Sequence, residues 1–307
     1  MIQLEFYSEN FENEYWKVVK KIIDKYTQDQ LIESCKNYLP TSFFIGNKNE
    51  WFKQLILAPF EKLRQAEEHI TNHSNKAMKK ECFYQPAKDR SPLKKVYKTI
   101  HDSYTTLAKS QKMYTSMRVR IVNNSRLTVC PYCNRDYINC RGKDVSGAQL
   151  DHFFSKSDFP LFSVCLYNLV PVCGNCNRVK SAKSMAFASP FDNRIEWEED
   201  ITFSYRGTTL KDIEIVIESK GNLGNNMKAM KIESAYQIHS IEILELLDKK
   251  QMYSSSQQQE FKKVLSNLTE PEIKKIIFGP KITKECMRTK PLGKMMHDLH
   301  KELKIYT

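Results

Sequence analysis

Apolar residues recur at three- and four-residue intervals over most of the chain, the spacing that lines one face of a helix. Trp16, Val19, Ile22, Ile23, Tyr26 and Leu31 predict a helix over residues 14–39 that Pro40 ends. Similar patterns predict helices over residues 49–71, broken at Pro59, and over 92–122, where Ser91-Pro92 is a start signal. Residues 232–250 form another, with Ala235, Ile238, Ile241, Leu244 and Leu247 as its apolar face. The Ser- and Gln-rich residues 254–259 read as a linker or an exposed helix, and residues 260–278 and 291–304 read as helical. Strict alternation is rarer. It predicts a short strand at residues 2–6 and a hairpin of residues 201–205 and 213–217 turning near Arg206-Gly207. The class is α+β and predominantly α-helical, in three regions: a helical residues 1–128, a differently patterned 129–190, and a hairpin plus helices over 191–307.

Charge adds a partner class. Lys and Arg exceed Asp and Glu by 12, and residues 76–129 hold 13 basic and 3 acidic side chains, so the excess sits just before Cys130. Lys94, Lys95, Lys98, Lys109, Lys112, Arg118 and Arg120 lie there among Tyr84, Tyr97, Tyr104 and Tyr114. Such a mixture suits phosphates with some stacking, although a basic run is also what a solvated helical face looks like. No apolar run reaches the length that spans a bilayer, and the first residues lack a basic-then-apolar signal region. The expectation is a cytoplasmic protein without a membrane partner.

Nine cysteines without an export signal argue against a disulfide framework. Four are paired by spacing: Cys130-Pro131-Tyr132-Cys133 and Cys173-Gly174-Asn175-Cys176. Each pair can put two thiolates on one side of a tight turn, and together they fill a tetrahedral Zn²⁺ shell. A closed shell of four thiolates has no open position for substrate, so this zinc is expected to staple two segments. The competing reading, a thioredoxin-like redox pair, lacks a βαβ context. Cys35, Cys82, Cys140, Cys165 and Cys286 have no such spacing and are expected to be small buried hydrophobes.

Between the pairs lie Gln149-Leu150-Asp151-His152-Phe153-Phe154, Phe159-Pro160 and Tyr167-Asn168-Leu169-Val170-Pro171, and the second pair continues as Asn177-Arg178-Val179-Lys180. This arrangement resembles the HNH endonuclease family. In that family an Asp-His closes a first strand, an Asn sits centrally in a loop, and a second strand leads to C-x-x-C-[HN]-x-x-K opening a helix. The resemblance covers about 55 residues, roughly a fifth of the chain. It implies a small ββα-metal nuclease core with structural zinc, embedded between the helical regions.

The resemblance also implies roles. His152 would be the general base toward water. Asp151 and Asn177 would hold a catalytic Mg²⁺ or Mn²⁺, with Asn in place of the frequent His moving the preference toward those oxygen-seeking ions. Asn168 would tie the loop and orient the histidine, and Lys180, with Arg178 and Lys183 as weaker candidates, would meet the scissile phosphate. The implied function is metal-dependent hydrolysis of nucleic-acid phosphodiesters, with DNA favoured. Through Asn168-Leu169-Val170-Pro171-Val172-Cys173, Tyr236-Gln237-Ile238-His239, Phe278-Gly279 and Pro291-Leu292-Gly293-Lys294, the chain with its helical flanks loosely resembles bacterial anti-phage HNH proteins, above all Septu-type nuclease subunits, including retron-associated versions, that work with a companion ATPase. No Walker-type phosphate loop occurs in the chain, so such an ATPase would be another protein. Two alternatives stand beside this: an RNA- or tRNA-cleaving toxin-like effector, and a zinc-stapled nucleic-acid-binding subunit without turnover.

Overall fold

The computed structural model describes residues 1–72, 92–113, 115–181, 185–209 and 211–306. Helices dominate them, with three separate two-stranded antiparallel sheets. The expected helix over 14–39 is two helices, α1 (Glu9–Ile22) and α2 (Lys25–Cys35). Asp24 makes the break: its carboxylate accepts from the Thr27 N–H at 2.9 Å and from the Thr27 hydroxyl at 2.8 Å, capping α2 and satisfying its first free donors. After Pro40 come α3 (Trp51–Ile56) and α4 (Phe60–Asn72), separated near Pro59 as the sequence predicts.

The helix that starts at Pro92, α5 (Pro92–Lys109), stops short of the expected residue 122. A tight hairpin, β1 (Gln111–Lys112) with β2 (Thr115–Ser116), turns the chain into α6 (Met117–Asn124), which Ser116 caps. Lys76, Lys79, Lys80, Cys82, Tyr84, Lys88, Arg90 and Tyr114 of the basic segment lie outside the described residues.

Strand β3 (Gln149–His152) pairs with β4 (Leu169–Val172), Asp151 facing Val170 and His152 facing Leu169. Helix α7 (Gly174–Lys180) follows at once and packs against β3. Every residue of β4 is buried, and helices pack on the chain leading into it: α4 contacts the short turn Leu166–Asn168, and α5 contacts the turn Pro160–Phe162. The expected hairpin is β5 (Ile201–Arg206) with β6 (Glu214–Ser219).

Residues 2–6 form no strand. Ile2 and Leu4 donate singly to the carbonyls of Pro131 and Pro190 at 2.8 Å each, tying this segment to the cysteine-rich centre. The helix expected over 232–250 is also corrected. After α8 (Asn222–Met230), it is α9 (Ile232–Tyr236), a 3₁₀ turn at Gln237–His239, and α10 (Ser240–Met252). The 3₁₀ turn shifts the helical phase, so Ile238 and Ile241 are exposed while Tyr236, Ile243 and Leu246 are buried. The Ser- and Gln-rich stretch opens α11 (Ser255–Val264), with Ser254 and Gln257 as a capping box. Then come α12 (Glu270–Phe278), α13 (Lys284–Thr289) and α14 (Gly293–Glu302), the last packed on β5. One buried apolar cluster runs through residues of all three sequence regions, from Met1 to Ile305. No helix among the described residues is long and apolar enough to cross a membrane.

Candidate metal centre and adjoining cleft

The two C-x-x-C turns converge. Cys130 and Cys133 lie in a loop, Cys173 caps α7, Cys176 sits in its first turn, and the four sulfurs lie within 4.8 Å of one another in a buried cluster. Backbone amides point at them: Arg135 N–H at Cys133 Sγ (3.4 Å), Cys173 N–H at Cys130 Sγ (3.3 Å) and Cys176 N–H at Cys173 Sγ (3.4 Å). The four thiols share protons: hydrogen bonds from Cys130, Cys173 and Cys176, followed by Arg135 N–H, hold the Cys133 thiol well below its usual range, while burial pushes Cys130 up and the neighbouring thiols push Cys176 up. Four converging sulfurs with amide support fit Zn²⁺ as a closed tetrahedral site.

The scaffold around the first turn was not legible in the sequence. Asn134 is fully buried in a left-handed conformation (φ 53°), which Asn tolerates better than most residues. Its side chain donates to Met287 O at 2.8 Å and accepts from Lys294 N–H at 2.8 Å, locking α13 and α14 to the cysteine loop. Tyr236 adds a hydrogen bond from its hydroxyl to Cys133 O at 2.6 Å. Only the position of Asn134, directly after a C-x-x-C turn, offered a signal, since a turn there commonly needs a left-handed residue.

Beside this centre an open cleft of about 500 Å³ is lined by Tyr104, Arg118, Asp151, His152, Lys156 and Asn177 among others. His152 ends β3. Its Nε2 lies 3.0 Å from the Ser163 carbonyl, which can only accept, so Nε2 carries the proton and Nδ1 keeps its lone pair. Nδ1 has no hydrogen-bond partner among the described residues. Burial is the main reason that the His152 pKa falls to about 3, with the positive charges of Lys156 and Lys180 adding to it; the Ser163 bond opposes. The imidazole is therefore neutral at pH 7.

Asn168 fixes the loop that carries Ser163. Fully buried, it accepts from Phe154 N–H at 2.8 Å and donates to the carbonyls of Phe154 (3.1 Å) and Phe162 (2.9 Å). That is the bonding of a loop-tying residue.

Asp151 and Lys180 differ from expectation. Lys180 does not reach toward a phosphate; it is 3% exposed, and its ammonium lies 2.9 and 3.1 Å from the two Asp151 oxygens. The carbonyls of His152 (3.3 Å) and Phe153 (3.4 Å) complete its shell. The reason is topological: Lys180 is the last residue of a helix packed on β3, so its side chain runs under the strand. Asp151, 5% exposed, also accepts the Tyr132 hydroxyl at 2.7 Å, a link from the first cysteine turn that the sequence did not reveal. A divalent ion on Asp151 would thus meet a carboxylate already neutralised by an ammonium. Asn177 lines the same cleft and donates to Gln149 Oε1 at 2.7 Å, which leaves its carbonyl oxygen as a potential ligand. The donor set is a carboxylate and an amide oxygen, which suits a hard ion if Lys180 yields. Arg178 is exposed and donates to Asn175 at 3.2 Å, while Lys183 lies outside the described residues.

The structure thus brings Asp151, His152 and Asn177 to one cleft, puts Asn168 behind it, and takes Lys180 beneath it. No family model, curated protein or solved structure matches the chain.

Proposed function

We propose that this protein is a metal-dependent HNH-type endonuclease that hydrolyses phosphodiester bonds of nucleic acid, DNA in the first instance. One observation supports it above all. A neutral histidine, anchored through Nε2 and with Nδ1 unpartnered among the described residues, lines an open cleft together with Asp151 and Asn177, on a strand pair and helix held by four cysteines. In this reading His152 Nδ1 accepts the proton of the attacking water, and Ser163 and Asn168 keep the ring in place. Asp151 and Asn177 would hold Mg²⁺ or Mn²⁺, which supplies charge stabilisation for the pentavalent phosphorus and the leaving oxygen. The zinc would be structural.

The functional setting we infer is an anti-phage effector acting with a companion ATPase, on the strength of the sequence resemblance to Septu-type subunits. The test is incubation of the zinc-loaded protein with plasmid, single-stranded DNA and total RNA, with and without Mg²⁺ or Mn²⁺, beside His152→Ala. Cleavage that needs the ion and is lost in His152→Ala supports the reading. Cleavage of RNA alone moves the substrate to RNA, and tight binding without turnover of any substrate makes the protein a binding subunit.

A further inference from the structure

The cleft has a second wall that lies outside the cysteine-bounded segment. Tyr104 comes from α5 and Arg118 from α6, both within the basic stretch of the N-terminal region. Tyr104 stands edge-on to His152, ring centroids 4.4 Å apart. The Arg118 guanidinium acts electrostatically on the Tyr104 hydroxyl, and its Nε is buried without a hydrogen-bond partner among the described residues. Lys156, from the loop after β3, holds its ammonium 5.3 Å from the centre of the same Tyr104 ring. Neither Arg118 nor Lys156, both half-buried, has a carboxylate partner among the described residues, whereas the more deeply buried Arg120, Lys180 and Lys294 pair with Glu14, Asp151 and Asp298.

Two cations without a carboxylate partner among the described residues thus line the cleft beside the histidine and Tyr104, and Asp151, the one acidic side chain among the described lining residues, is already neutralised by Lys180. A shielded guanidinium donor without an acceptor is costly unless a ligand supplies one. An anion with several acceptor oxygens would do so, and the planar guanidinium suits a phosphate better than a lone carboxylate oxygen. We propose that Arg118 and Lys156 form a seat for one backbone phosphate of a nucleic-acid strand, with Tyr104 as the wall that sets its distance from His152. This rests on the nuclease reading for its purpose, because it would hold the strand against the base. It makes the N-terminal helices part of the substrate site. The seat itself is a binding property and stands or falls without catalysis.

The experiment measures binding of a short fluorescent single strand and of a short duplex to the full-length, zinc-loaded protein without added Mg²⁺ or Mn²⁺, over about 50 to 200 mM salt. The variants are Arg118→Met, Lys156→Met and the double variant, with Lys263→Met on an exposed helix as control. Each single change is expected to weaken binding about three- to tenfold, and the double change, which strips both cations from the one phosphate, to lower the salt slope by about one. Lys263→Met is expected to leave both unchanged. If Arg118→Met loses zinc or melts early, Arg118→Lys replaces it and is expected to keep the slope while losing part of the affinity. Unchanged affinity and slope in the double variant overturn the seat, as does a wild type that binds neither probe. A wild type that binds through these residues but never cleaves overturns only the nuclease reading, whereas one that cleaves while the double variant binds normally overturns only the seat.

Discussion

The cysteine centre and the histidine cleft are neighbours built on opposite principles. In the centre every ligand is of one kind, buried and turned inward, with amide donors completing the shell. In the cleft the polar groups are unlike and are held by one another: Asp151 by Lys180 and Tyr132, Asn177 by Gln149, His152 by Ser163. The first arrangement gives a closed site whose free energy goes into folding. The second keeps a carboxylate and an imidazole in place at low solvent exposure, with an ammonium and a phenol hydroxyl already on the carboxylate. Tyr132, one residue from Cys133, joins the two, so the rigidity of the centre reaches the Asp151 carboxylate directly.

The contrast can be broken at its strongest point first. Cys133→Ser removes one sulfur from a closed shell and is expected to drop bound zinc from about one per chain to near zero and to abolish the cooperative melting transition. Zinc content and circular dichroism check this. A variant that keeps zinc and melts normally would mean that the four sulfurs do not act together.

Lys180→Met tests the claim that an ammonium is the resident cation of Asp151. Breaking a buried pair by removing one partner typically costs about 3 to 5 kcal/mol, and the loss should appear in denaturant unfolding. Millimolar Mn²⁺ should restore part of it in Lys180→Met and do little for wild type, because the uncompensated carboxylate becomes the ion's ligand. A variant as stable as wild type, or one insensitive to Mn²⁺, would contradict this.

The smallest effect is expected from Tyr132→Phe, which keeps the buried ring and removes the hydroxyl donated to Asp151. The cost should be about 1 to 3 kcal/mol with zinc content unchanged. Loss of zinc in this variant would show that Tyr132 serves the centre and not the cleft.

What the sequence disclosed, and what it did not, follows the same division. The four ligands were legible because a C-x-x-C turn is local: two residues between cysteines suffice to aim both sulfurs. The strand pair and following helix were legible from Asp151-His152, Leu169-Val170-Pro171 and the run after Cys176. The fate of Lys180 was not. Spacing placed it on the helix bearing Asn177, but whether its ammonium faces solvent or runs under β3 depends on how α7 packs, which no local pattern specifies. Arg118 likewise reads as one cation among many until α5 and α6 bring it to Tyr104. The exposed Ile238 and Ile241 failed for a third reason, since a periodicity continued through residues 237–239 ignores the phase change made by one 3₁₀ turn.

The most direct test of the account is the single-turnover cleavage rate of zinc-matched wild type and His152→Ala from about pH 5 to about pH 8. With a pKa near 3, His152 is unprotonated throughout this range, so its availability as a base does not change with pH. The wild-type rate should therefore show no acidic fall centred on the ordinary histidine value of 6.5, and His152→Ala should be slower by about 100-fold or more at every pH. Equal rates for the two proteins, or a wild-type rate that falls away below pH 6.5 through protonation of His152, would contradict it.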